Sequence, residues 1–271
     1  MATIRVGAVN YLNAKPLIER LAHFAPNIDL SLDLPSRLAD QLAAGDIDVG
    51  LIPVVEYFRG RNYSLIPNIA IASRGPVLSV TLFSRKPWAE IRSVALDEGS
   101  RSSAALAQIL LRKRYSVHPS IQPLPIDAPA ETLNTDAVLL IGDRAMHACL
   151  PGYRFAYDLG REWTDWTGLP FVYAVWAVRA GIDLGDTEAA FHRAKEHGVT
   201  HAGEIAQREA PLLGLDPGYC RRYLDTLIRY DLGPEELAGM ERYRALIDWG
   251  ETASGSRAAC GFAPRRERVE T

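Results

Sequence analysis

Cysteine is scarce in this 271-residue chain: three occur, Cys149, Cys220 and Cys260. An odd number of widely separated thiols excludes a disulfide scaffold and offers no metal-ligand spacing, so they read as reduced structural residues. Histidine is sparse as well. His197 and His201 have the spacing of a helical metal pair, yet no Glu follows His197 and Gly198 weakens the helix between them. They read as surface residues, and no metal site is expected. An excess of positive charge is missing too: 30 Lys and Arg face 33 Asp and Glu, which leaves no basic field for nucleic acid. Long apolar runs are absent. Val138-Leu139-Leu140-Ile141 stops at Gly142-Asp143, far short of the roughly 20 residues of a membrane span, so no membrane partner is expected. Met1-Ala2-Thr3-Ile4-Arg5-Val6-Gly7 runs directly into a strand pattern without the charged and apolar parts of a signal peptide, and the expected location is cytoplasmic.

What is present is ordinary globular material, 48% apolar and 23% charged, enough for one large α/β domain or two lobes of about 100 to 150 residues. Residues 4–9 read as a short buried strand, followed by a polar loop over 10–16 and a helix over 17–24. Residues 28–34 alternate apolar and polar. Pro35-Ser36 then offers a helix start, Leu38 and Leu42 lie one turn apart, and Gly45 is placed as the stop. Residues 46–53 supply the next strand. The order β-α-β-α-β implies parallel strands with right-handed crossovers, and such sheets bind ligands beyond the C-terminal ends of their strands. The loops at 10–15, 35–37 and 53–57 are therefore the first places to look for function.

Further strands are expected over 66–72 and 78–84. The pattern restarts with a strand over 93–96, a polar loop over 97–101 and a helix over 102–115. Residues 137–141 form a later strand that ends at Gly142-Asp143-Arg144, and 171–178 read as a strand returning to the first unit. Beyond about residue 185, apolar residues such as Phe191, Ala194, Ile205, Tyr223, Leu224 and Leu227 recur at helical spacing. The second unit thus reads as an insertion: residues 1–85 with 175–271 make one lobe and 86–174 the other. Crossovers near Arg85 and Tyr173 would join lobes facing across a cleft, suited to hinge closure. From Glu251 onward the composition is that of a loose tail.

Four segments carry a resemblance: Val9-Asn10-Tyr11-Leu12-Asn13-Ala14-Lys15-Pro16-Leu17, Gly75-Pro76-Val77-Leu78-Ser79, Gly99-Ser100-Arg101-Ser102-Ser103, and Trp163-Thr164-Asp165-Trp166-Thr167-Gly168-Leu169-Pro170-Phe171-Val172. With Ile141-Gly142-Asp143 and Ala174-Val175-Trp176-Ala177 they span residues 4–179. In order and spacing they resemble the chorismate dehydratases of the futalosine-dependent menaquinone route. The resemblance implies a two-lobed α/β fold like that of type II periplasmic binding proteins, each lobe a mostly parallel sheet flanked by helices. It also implies a lyase that removes water from chorismate to give 3-[(1-carboxyvinyl)oxy]benzoate, with no metal or organic cofactor. The sister 1,4-dihydroxy-6-naphthoate synthase shares the fold but differs at the N-terminal loop. A small-carboxylate binding protein is the rival reading from another class, because the scaffold alone speaks of a ligand and not of a reaction. The effector domain of a transcription regulator is disfavoured, since no helix-turn-helix precedes Ile4. A homodimer is compatible with the sequence.

Chorismate carries two carboxylates, which helix N-termini, hydroxyls and amides accommodate well. Gly99-Ser100-Arg101-Ser102-Ser103 has that form, a Gly turn after a strand with hydroxyls, one Arg and a following helix; the alternative is that these Ser residues only cap the helix. Ser36 opens an earlier helix in the same way. Ser73, Gly75, Pro76 and Ser79 serve either the ligand or a turn, with Ser79 the preferred contact. Asn10 and Asn13 suit a turn equally, and the resemblance places the functional Asn at Asn13. Tyr11, Trp163, Trp166 and Trp176 are candidates for ring stacking or, the preferred reading for the tryptophans, for packing. Asp143 either holds its loop or bonds the substrate, and Asp165 reads as a cap. With so few bases in these loops, the expected chemistry is substrate-assisted: the enolpyruvyl carboxylate takes the C3 proton while Asn13 orients the substrate or stabilises charge.

Overall fold

The near-continuous apolar run Ile4-Arg5-Val6-Gly7-Ala8-Val9 suits a strand covered on both faces, and it forms β1 (Ile4–Val9), buried at every position but Arg5. The computed structural model describes residues 3–60, 62–126 and 128–248; the tail expected from residue 251, with Cys260, lies outside them. β1 pairs in parallel with β2 (Ile28–Asp33) on one side and β3 (Val49–Pro53) on the other. The connections are helical: the single turns α1 (Lys15–Ile18) and α2 (Leu21–Phe24), then α3 (Pro35–Ala44). α3 opens on Pro and stops at Gly45, whose φ of 83° is readily available only to a residue without a Cβ.

After α4 (Val54–Arg59), β4 (Ser64–Ser73) leads out of this sheet into β5 (Val80–Ser84) of a second one. The second sheet has the order β7 (Ser120–Leu124), β6 (Ser93–Asp97), β8 (Ala137–Ile141), β5, β9 (Phe155–Asp158). The first has the order β11 (Ile228–Arg229), β4, β10 (Phe171–Val178), β3, β1, β2. Both sheets are mixed where mostly parallel ones were expected. β10 runs antiparallel to β3 and β4, and β5 antiparallel to β8 and β9, because the chain passes between the sheets through these strands and must run back. β5 belongs to the second sheet, so the chain passes between the sheets over residues 74–79, and the returning strand is Phe171–Val178.

The second sheet carries α5 (Arg101–Ile109), extended by a π-helical turn at Leu110–Arg114, then α6 (Gly142–His147) and α7 (Leu159–Thr167). Beyond β10 come α8 (Thr187–Thr200), α9 (Ala202–Leu213), α10 (Pro217–Arg222) with a second π-helical turn at Tyr223–Leu227, and α11 (Pro234–Leu246). Gly198 lets α8 lie on α1: a Cβ there would stand 1.9 Å from the Pro16 carbonyl oxygen. One apolar core runs through both sheets, with a smaller cluster around Ala95, Leu124, Val138 and Leu140. Trp163 and Trp176 are wholly inside it. Trp163 packs edge-on against Phe171, and Trp176 against Phe191, so both serve packing. No helix among the described residues is long and apolar enough to cross a membrane. Cys149 and Cys220 are free thiols, the first exposed and the second buried.

Candidate active site

The C-terminal ends of β1 and β3 and the starts of α3 and α4 face the starts of α5 and α6 across a seam between the lobes. Polar and ring contacts cross it. The Leu12 N–H donates to Asp143 Oδ1 at 3.1 Å, and the Val55 N–H donates to Ser102 Oγ at 3.2 Å. The Arg101 guanidinium grips both carboxylate oxygens of Asp40, at 2.9 and 2.8 Å, with Glu56 at 3.5 Å. The Tyr11 ring lies against Gly142, where a Cβ would come within 3.0 Å of it and φ is +62°, so this position admits little besides glycine.

On the first-lobe side, Asn13 sits half-buried on the loop after β1. Its loop packs against the turn that carries Tyr223, whose hydroxyl donates to Ser79 Oγ at 2.7 Å. Burial raises the Tyr223 pKa, so the phenol stays protonated. Ser79 is itself buried; its carbonyl accepts the Gly142 N–H at 2.8 Å and its N–H donates to the Val77 carbonyl at 2.7 Å. Ser73, at the other end of the passage, pairs its hydroxyl with that of the buried Tyr173 at 3.1 Å. Between them Gly75 (φ 90°) and Leu78 (φ 62°) take left-handed conformations. The second lobe holds this turn: Thr164 Oγ1 accepts the Gly75 N–H at 2.8 Å, and Asp158 accepts the N–H groups of Val77 and Leu78 at 2.9 and 2.7 Å. Gly75 and Pro76 therefore serve backbone geometry.

On the second-lobe side, Ser100 caps α5. Its Oγ accepts the Ser103 N–H at 3.3 Å and donates to Ser103 Oγ at 2.9 Å. Ser102 and Ser103 are buried behind it, and the Tyr243 hydroxyl donates to the Ser102 carbonyl at 3.0 Å. Capping by Ser100 does not use up the helix start, because N–H groups of the first turn have no partner within the helix. Asp97, the last residue of β6, is buried and accepts the Gly99 N–H at 2.8 Å, with Arg144 at 3.7 Å. Burial pushes its pKa up to about 6, and burial likewise raises that of Asp143. The Tyr11 hydroxyl stands 3.5 Å and Asp97 Oδ1 3.0 Å from the point a Gly99 Cβ would occupy, which places phenol and carboxylate side by side. Burial raises the Tyr11 pKa, with Asp97 and Asp143 adding to it.

The seam thus gathers Tyr11, Asn13, Ser79, Asp143 and the start of α5. Asn10 and Ser36 stand apart from that cluster, whereas Arg101, the first residue of α5, lies at the seam with its guanidinium already paired. Asn10 is exposed and takes a hydrogen bond from Lys15 at 2.9 Å, Ser36 is buried in the first turn of α3, and Arg101 is engaged by Asp40 and Glu56. The available donors at the seam are hydroxyls, an amide and backbone N–H groups, a set suited to an oxyanion. Three residues escaped the sequence reading: Asp97, Tyr173 and Tyr223. Asp97 was visible as a strand ending in a carboxylate before a Gly turn, whereas Tyr223 lay in a stretch whose helical spacing spoke only of packing.

A chorismate dehydratase of Thermus thermophilus is 31% identical over 229 residues, covering 78% of this chain and 83% of that protein. A chorismate dehydratase of Campylobacter jejuni is 25% identical, over 88% of this chain and 94% of its own length. Among solved structures, a protein of Archaeoglobus fulgidus superposes with a TM-score of 0.70 at 16% identity, over 90% of this chain and 96% of that one. The periplasmic aliphatic sulphonate-binding protein of Escherichia coli does so with a TM-score of 0.62 at 18% identity, over 100% and 95%. These two likenesses establish the periplasmic-binding-protein-like fold. The sequence profile described as menaquinone biosynthesis matches residues 4–248, nearly the whole described chain, and the protein belongs to that family.

Proposed function

We propose that this chain is a chorismate dehydratase, a hydro-lyase that converts chorismate into 3-[(1-carboxyvinyl)oxy]benzoate and water. The observation that carries the reading is Ser79, at the entry to β5, bonded at 2.7 Å to a buried phenol whose turn packs on the loop bearing Asn13, in a chain so similar to proteins bearing that name. The start of α5 takes one substrate carboxylate. Asn13 and Ser79 hold the ring and its departing hydroxyl in the geometry for elimination.

Loss of the C3 proton and the C4 hydroxyl aromatises the ring, and aromatisation supplies the driving force. The nearby carboxylates are occupied: Asp143 accepts the Leu12 N–H, and Asp97 accepts the Gly99 N–H beside Arg144. This supports a substrate-assisted step in which the enolpyruvyl carboxylate takes the C3 proton, the C3–H electron pair becomes the new ring double bond as the C4–O bond breaks, and the carboxyl passes that proton to the departing hydroxyl, which leaves as water. The two free thiols fit a reducing, cytoplasmic setting.

Incubating the purified protein with chorismate and following an aromatic product by absorbance and mass tests the reading. Tight binding without product would replace it with that of a carboxylate-binding protein. Asn13→Ala is expected to lose at least about a hundredfold in kcat while still binding chorismate. Unchanged turnover in that variant removes Asn13 from the mechanism.

A further inference from the structure

Just before Ser79 the chain takes a shape that its residues do not favour. The Ser79 N–H donates to the Val77 carbonyl at 2.7 Å across Leu78, whose φ is +62°. This is a γ-turn of the rare, strained kind, with its central residue in the left-handed region. Glycine takes such a φ freely; leucine, with its Cβ, holds it only where the surroundings enforce it. Asp158 enforces it. Its carboxylate accepts the Val77 N–H at 3.0 and 2.9 Å and the Leu78 N–H at 2.7 Å, while Oδ1 also takes the Arg161 N–H at 3.0 Å as the cap of α7. One side chain thus ties the start of a helix to the strained turn.

The turn ends on Ser79. Its N–H is spent inside the turn and its carbonyl accepts the Gly142 N–H at 2.8 Å, so its backbone has one setting and the Oγ departs from there. The Tyr223 hydroxyl donates to that Oγ at 2.7 Å. Ser79 therefore keeps its own O–H as a donor, and no acceptor for it occurs among the described residues. Were Leu78 to relax to a negative φ, the peptide before Ser79 would rotate and carry the hydroxyl with it. Strained backbone that is over-determined by its surroundings clusters at functional sites, where it preorganises a group for its task.

We infer that Asp158 is a positioning residue for the dehydration: by holding the γ-turn at Leu78 it fixes the direction in which the Ser79 hydroxyl meets the substrate. This rests on the proposed function, in which Ser79 holds the ring and its departing hydroxyl, and extends it to a carboxylate at the end of β9. Asp158 acts through the N–H groups of Val77 and Leu78.

Steady-state kinetics of the full-length chain with chorismate, for the wild type, Asp158→Ser, Ser79→Ala and the double variant, test the inference. Serine caps a helix about as well as aspartate, so D158S keeps the bond to the Arg161 N–H, but its single short hydroxyl does not also span to Val77 and Leu78. The expected result is a fall of about ten- to a hundredfold in kcat with little change in KM, since the displaced hydroxyl acts on the reacting atoms more than on binding. In the S79A background the same change should cost much less, because the group it aims is gone. A merely structural role would lower the unfolding temperature and leave kcat of the folded protein intact. That result, or full additivity of the two losses, overturns the inference while the proposed function stands. A wild-type protein that leaves chorismate unreacted overturns both. Should D158S not fold, Thr164→Val takes its place, since it withdraws the acceptor of the Gly75 N–H at the near end of the same passage. A kcat loss that disappears in the S79A background then supports the strained passage as what aims Ser79; no loss, or one that persists, refutes it.

Discussion

At the end of β6 a carboxylate has been placed where water hardly reaches it. Asp97 is 4% exposed, and burial lifts its pKa from the usual range to about 6. Because the folded value lies above the unfolded one, protonation favours the fold: the cost of the buried charge is present above pH 6 and fades as pH falls toward 4. Asp97→Asn keeps an acceptor for the Gly99 N–H and removes the charge. Urea unfolding at pH 4 and pH 7 should show the stability difference between variant and wild type moving in favour of the variant by roughly 2–3 kcal/mol on going to pH 7. A difference independent of pH would show that Asp97 is not buried as a charge.

Tyr223 shows how far single letters can be read. Asn13 and Ser79 could be singled out because each belongs to a segment with a recognisable order, but nothing in Tyr223 distinguishes it from Leu224 or Leu227, which share its helical spacing. Its meaning depends on a hydroxyl arriving beside a residue 144 positions earlier in the chain, and only the packed structure brings the two together.

Among elements, the strands of the two sheet centres were legible because they are apolar on both faces: β1, β3, β8 and β10 are buried almost throughout. The edge strands β7 and β9 were not. β7 is exposed at four of its five residues and contains Pro123, and β9 has four residues, so neither carries the apolar signature of a covered strand. The passage over residues 74–79 is likewise written in contacts. At its far side Gly160, in the first turn of α7, admits the close approach, since a Cβ there would lie 2.7 Å from each of the Gly75 carbonyl, Ser73 Oγ and the Tyr173 hydroxyl. Gly160→Ala should destabilise the protein by about 1–3 kcal/mol in urea unfolding, although alanine is the better helix former. Gly75→Ala, where a Cβ meets open space but φ is +90°, should cost about 1 kcal/mol. The reverse order would mean that the passage yields more easily than its contacts imply.

At the scale of the whole molecule, Arg101 with Asp40 and Glu56 is a charged tie between the lobes. Side-chain exposures of 24% for Arg101 and 49% for Asp40 limit its worth to about 1 kcal/mol, less at high salt. A latch of that size biases closure without locking it. Arg101→Ala should therefore raise KM for chorismate by about two- to fivefold and change kcat less, because the closed state becomes rarer but is unchanged once formed. A kcat loss as large as that of N13A would place Arg101 at the reacting atoms instead.

β10 lies between β3 and β4, and it is made only after the whole inserted sheet. Until residues 171–178 leave the ribosome, the first sheet exists as two unjoined pieces, β2-β1-β3 and the lone β4, while every strand of the second sheet is already available. The loops bearing Asn13 and Ser79 are thus among the earliest parts of the chain, and both tyrosines that reach the passage, Tyr173 and Tyr223, among the later ones. A nascent or truncated chain holds Ser73 and Ser79 without the tyrosine hydroxyls they bond in the folded protein, so the order of synthesis withholds the last of these contacts until the final third of the chain is being made.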